Sequence, residues 1–108
     1  MNDKRVPPAD CRSMAEVRHG VDRLDEQIVA LLAERFRYMD AAARIKPARD
    51  AVRDEWRKAD VLSKVSARAK KESAPVDRIA LLYDSLVESS IAHEFEGFDL
   101  RSSSDPYP

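Results

Sequence analysis

Ser13-Met14-Ala15-Glu16-Val17-Arg18-His19-Gly20-Val21-Asp22-Arg23-Leu24-Asp25-Glu26-Gln27-Ile28-Val29-Ala30-Leu31 is the stretch that decides the fold. It opens as a capping box, with a serine at the N-cap and a glutamate three residues on. Its apolar positions Met14, Val17, Val21, Leu24, Ile28 and Leu31 alternate steps of three and four, the spacing of a heptad seam. No proline interrupts until Pro47, and a proline pushes the residue before it out of the α region. The first helix is therefore expected to stop near Lys46, after roughly 33 residues or about 50 Å. A small three-helix globule has no need of so long a helix.

Outward from that helix, residues 1–12 carry Pro7 and Pro8 and no periodicity, and read as an extended arm. Residues 47–53 read as a linker. A second helix is expected from Asp54, a good N-cap, with Trp56, Leu62, Val65 and Ala69 on one side and Lys70-Lys71-Glu72-Ser73 at its end. Pro75 suits the first turn of a third helix. That helix carries Ile79, Tyr83, Leu86, Ser90 and Glu94 on one face and is expected to end at Gly97. Residues 98–108, with the run Ser102-Ser103-Ser104-Asp105-Pro106, have the composition of a disordered tail. Residues 13–97 are thus read as one all-α domain of three helices.

Composition agrees. The 108 residues are 44% hydrophobic and 36% charged, with only two glycines, Gly20 and Gly97. An all-β fold would want more turn residues. The formal net charge of −1 lacks the basic excess of a nucleic-acid binder. A lone cysteine, Cys11, permits no intrachain disulfide, and with no signal peptide in evidence the expected compartment is the cytoplasm. No apolar run approaches the ~18 residues of a membrane span. His19 and His93 have no second ligand pair near them, so no metal site is expected.

A single chain would leave most of the first helix's seam exposed, and large apolar stripes mark association surfaces. The heptad spacing points to a homodimer in which the helix pairs with a copy of itself.

Charge interrupts the stripe. The next seam position after Leu31 is Arg35, and a guanidinium on an apolar seam is costly unless paired. One reading is a structural salt bridge or a snorkelling side chain. The other is an anion site, since Lys46 follows about three turns later on the same face, ~16 Å away. Arg18 lies about 25 Å before Arg35 along the axis and is rotated by roughly 100°, so no small molecule touches both from one helix. Arg18 and Arg57 taken alone read as surface charge. Ser90 reads as a packing residue, and Glu94 as the partner of a neighbouring cation.

At these residues the sequence resembles the all-helical chorismate mutases. Val17 to Arg35 resembles the family's opening, Ala41-Ala42-Ala43-Arg44-Ile45-Lys46 continues the match, and Val52-Arg53-Asp54 with Arg57 follows more loosely. Ser90 and Glu94 fall where the family has its third-helix site residues. The resemblance covers roughly residues 13–96. Asp10-Cys11 and the Arg37-Tyr38 pair ahead of the alanine-rich run look like the isochorismate-pyruvate lyase branch of the same fold.

The resemblance implies an intertwined homodimer with two identical sites and no cofactor. Arg18 would reach into the partner's site, while Arg35, Lys46 and Arg57 stay in their own, which accounts for the 25 Å gap estimated above from the helical rise. Chorismate is a dianion that rearranges to prephenate in one concerted step. Such a site must hold the enolpyruvyl arm over the ring and stabilise charge growing on the ether oxygen. By resemblance, Arg18 and Arg35 hold one carboxylate and Arg57 the other. Lys46 donates to the ether oxygen, and a protonated Glu94 donates from the other side. Ser90 and Asp54 border the ring carboxylate and hydroxyl. Lys58 stands where the mutases usually carry a glutamate facing that hydroxyl, which bears on the choice between chorismate and isochorismate. Three functions follow as expectations: chorismate mutase, a lyase releasing salicylate and pyruvate from isochorismate, and a catalytically silent helical interaction module.

Overall fold

The long helix forms where its signals put it. A computed structural model describes residues 4–103, and there the chain folds into α1 (Met14–Ile45), α2 (Glu55–Lys71) and α3 (Val76–Ser103). Short 3-10 turns occupy Pro8–Asp10 in the arm and Arg49–Ala51 in the α1–α2 connection, and no strand occurs among the described residues. The described chain divides into two compact units within α1, at Arg35 and Phe36.

In the first unit, Ser13 caps α1. The Glu16 amide donates to Ser13 Oγ at 3.2 Å, and Glu16 Oε1 accepts from the Arg12 amide at 2.8 Å. The returning half of the box thus lands one residue before the cap. The arm lies against the helix, with Arg5 Nη1 donating to Gln27 Oε1 at 3.4 Å and the Cys11 thiol to the Val6 carbonyl at 3.7 Å. The seam from Met14 to Leu31 is open: its six apolar residues are 38–66% exposed.

In the second unit, α2 and α3 form an antiparallel hairpin. Asp54 caps α2, accepting the Arg57 amide at 3.0 Å. The far end of α2 closes with the Ala74 amide on the Ala69 carbonyl at 2.8 Å and the Ser73 amide on the Lys70 carbonyl at 3.1 Å. This is the Schellman pattern, and Ser73 takes its left-handed position at φ 57° where glycine usually sits. Ala69 is buried and Leu62 and Val65 are half-buried, but Trp56, expected on the same side, is 75% exposed. Six residues separate Trp56 from Leu62, a rotation of roughly 240° that carries the indole off that face.

Two expectations at the third helix need correction. Pro75 immediately precedes α3, where its carbonyl accepts the Ile79 amide at 3.0 Å. Gly97 does not end the helix, which runs on to Ser103. Gly97 faces α1 instead: a Cβ on it would lie 3.4 Å from the Ala43 Cβ, at the near edge of ordinary contact. Phe98 follows and completes a small core with Ala43 and Val52, backed by Ile91 and Phe95. Burial of that ring carries the helix past a residue that would otherwise favour stopping it. Of the expected tail, residues 98–103 are therefore helical, and 104–108 lie outside the described residues.

Candidate active site

Lys46 is the first residue after α1, its amide still bonded to the Ala42 carbonyl at 2.9 Å. Pro47 has no N–H to continue the ladder, so the chain turns away here. The lysine side chain turns toward α3, where Nζ donates to Glu94 Oε2 at 2.6 Å and to the Val52 carbonyl at 3.4 Å. Glu94 is almost wholly buried, its side chain 4% exposed against 29% for Lys46. An ammonium has three N–H donors, so these contacts leave one to offer an oxygen on a bound molecule. Ser90 is buried one turn before Glu94, its Oγ donating to the Leu86 carbonyl at 2.7 Å.

Of the residues named from the sequence, Lys46, Glu94 and Ser90 are the three that the end of α1 and α3 bring to one place. The pairing of Lys46 with Glu94 also matches the salt-bridge reading of that glutamate. Asp54 is spent on capping α2. Arg57 points along its own helix, Nη1 donating to Asp60 Oδ2 at 2.7 Å, and is mostly exposed. Asp60 is shared: the hydrogen bond from Lys64 and then that from Arg57 hold its carboxyl below the ordinary range.

Arg18 is exposed and Arg35 half-buried, both in the first unit. Seventeen residues of continuous helix separate them. That is about 25 Å of axial rise, so they cannot hold one small anion from one chain.

No sequence signal marks the Val52 carbonyl as a partner of Lys46. None marks the ionic cluster beside α2 either. Glu88 on α3 accepts from Arg53 Nη2 at 2.6 Å and from Lys58 Nζ at 2.8 Å. Lys58 also meets Asp84 at 3.1 Å. The Arg53 bond first, and Lys58 next, press the Glu88 carboxyl down to about 2, while Glu88 and Asp84 raise Lys58. Lys58 is thus engaged by two carboxylates of α3. Farther along α3, Asp99 takes Arg49 Nε at 3.0 Å, with the guanidinium 4.4 Å over the Phe95 ring. His93 Nε2 meets Asp40 Oδ1 at 2.6 Å beside the Phe36 ring.

Among the described residues no group of His, Cys, Asp and Glu could hold a metal ion, and no helix is long and apolar enough to cross a membrane. The Glu94 carboxyl, buried within α3, and the Lys46 ammonium, just past the end of α1, form one ion pair.

Comparison with known proteins bears on the use of that pair. The model of the family described as chorismate mutase type II matches residues 17–95. Isochorismate pyruvate lyase of Pseudomonas aeruginosa is 28% identical over 89 residues, covering 82% of this chain and 88% of that protein.

Proposed function

This chain belongs to the chorismate mutase type II family, and we propose that it is a chorismate mutase, rearranging chorismate to prephenate. The observation that carries the reading is Lys46 held against buried Glu94, with Ser90 one turn away. The third N–H of Lys46 donates to the ether oxygen as its bond to the ring breaks. A proton on Glu94 lets that carboxyl donate from the other side. Two donors aimed at developing charge form the kind of arrangement that lowers such a barrier most.

Both carboxylates of the substrate need cations. Arg35 and Arg57 serve from the same chain, Arg57 leaving Asp60, and Arg18 comes from a second copy. The open seam of α1 and the axial separation of Arg18 from Arg35 support a homodimer with shared sites. A single cysteine is in keeping with the cytoplasm as its compartment.

A second reading is favoured by the name of the curated relative: lyase action on isochorismate, breaking the same kind of ether bond and releasing salicylate and pyruvate. The test is to offer the purified protein each substrate. Loss of chorismate absorbance with prephenate formed supports the mutase. Salicylate fluorescence from isochorismate supports the lyase, and silence on both leaves a helical interaction module. Mixing Arg18→Ala with Arg35→Ala chains after unfolding and refolding tests the sharing. Heterodimers hold one intact site, so activity reappears, whereas confirmed heterodimers without activity overturn it.

A further inference from the structure

The family match stops at residue 95, but α3 does not, and its last turns reach back to the end of α1. Phe98 is buried against Ala43 and Val52. The Arg101 guanidinium lies 5.6 Å over the Phe98 ring and donates Nη1 to the Arg44 carbonyl and Nη2, at 3.4 Å, to the Lys46 carbonyl.

A helix leaves its last four carbonyls without intrahelical donors. For α1 the shortage is enforced by Pro47, which brings no N–H of its own. Arg101 supplies two N–H groups to two of these terminal carbonyls, one of them Lys46's own. A cation at a helix C-terminus also meets the favourable end of the helix dipole. The planar fork is well suited to spanning both oxygens, while the Phe98 ring beneath it limits where the plane can lie. The backbone of Lys46 is therefore gripped at its carbonyl by α3 and at its amide by Ala42.

We propose that Arg101 is a positioning residue for Lys46: by capping the end of α1 it fixes the backbone from which the Lys46 ammonium reaches Glu94 and the reacting oxygen. The proposal rests on the reading of Lys46 as the catalytic donor. It assigns a role in the reaction to a turn that lies outside the residues matching the family.

The experiment compares Arg101→Ala and Arg101→Lys in the full chain, on whichever of chorismate and isochorismate the unaltered protein converts. Arg101→Ala lowers kcat about tenfold with KM nearly unchanged, since small misplacements of a catalytic group are felt at that scale or above. Arg101→Lys, which still donates to a carbonyl, recovers most of the loss. In a Lys46→Ala background, Arg101→Ala has no further effect on the residual rate. An unchanged kcat in Arg101→Ala overturns the proposal, and so does an equal loss with and without Lys46. If Arg101→Ala does not fold, Arg101→Met, which keeps a stem over Phe98 but has no N–H to donate, decides by the hydrogen exchange of the Lys46 amide. Faster exchange there than in the unaltered protein, with the α2–α3 hairpin unchanged, supports the cap, and unaltered protection overturns it. If the unaltered protein converts neither substrate, the functional reading fails by itself. The same exchange measurement then still judges whether Arg101 holds Lys46.

Discussion

Replacing Glu94 separates a catalytic carboxyl from a structural one. Its side chain is 4% exposed and accepts Lys46 Nζ at 2.6 Å, and the other acceptor of Lys46, the Val52 carbonyl, is at 3.4 Å. Glu94→Ala leaves the ammonium with the weaker partner. Removing one side of a buried pair can cost about 3–5 kcal/mol. Lys46 keeps 29% exposure and recovers water, so the loss is set nearer the penalty for one unsatisfied group, about 2 kcal/mol. For a domain of this size that is about 10 °C in Tm. Glu94→Gln keeps the shape and an acceptor oxygen, and exchanges an ion pair for a bond from the ammonium to a neutral amide oxygen, at a cost of about 1 kcal/mol.

Activity follows a different order. A carboxyl donates to the ether oxygen only when protonated, whereas an amide donates at every pH. Glu94→Ala therefore loses roughly 2–4 kcal/mol of transition-state stabilisation, about 30- to 1000-fold in kcat/KM. Glu94→Gln keeps an N–H donor at that position and with it most of the activity. The assay is kcat/KM for the three proteins, with thermal melts on the same samples. A Glu94→Gln protein that loses as much activity as Glu94→Ala would mean that Glu94 only holds Lys46 and donates nothing.

Ser73→Gly removes a side chain from a left-handed residue at φ 57° and should stabilise by about 0.5 kcal/mol, part of the gain being returned as unfolded-state entropy; a lower urea midpoint would contradict it. Glu88 ionises at about 2 in the folded chain against an ordinary 4.5, so its ion pairs add stability that is complete above the ordinary value and lost as pH falls through the folded one. Urea melts across that acid range should show a flatter pH dependence for Glu88→Gln, and an unaltered slope would remove Glu88 from the account. Lys58→Glu brings a third carboxylate beside Asp84 and Glu88 and should lower Tm and turnover together; a rise in chorismate turnover would instead identify position 58 as a ring-hydroxyl contact.

What the sequence makes legible is what its local physics controls. The Ser13 cap, the seam from Met14 to Leu31 and the stop at Pro47 all act within a turn or two of themselves, and α1 begins and ends where they direct. Asp54 announces α2 for the same reason. The charged residues on buried stripes, Lys46 and Glu94, are legible as anomalies because burial of charge needs a cause. That they meet each other is settled by packing between segments 48 residues apart.

The rest depends on contacts that leave no local trace. Gly97 has the composition of a helix stop, but its place in the fold is the close approach to Ala43. Read locally, the residue ends α3, and Phe98, Asp99 and Arg101 fall into a tail. Read across the interface, Gly97 lies within contact range of Ala43, and the turn beyond supplies a core ring, a partner for Arg49 and the cap over Lys46. Lys58 is opaque in the same way, because Asp84 and Glu88 lie on another helix. Both cases have one cause. The core is small, with no large side chain fully buried among the described residues, so ion pairs and caps reaching out from α3 hold the ends of α1 and α2. Lys46, the donor proposed for catalysis, sits at one of those ends. Its placement is therefore sensitive to residues such as Arg101 that the substrate never meets.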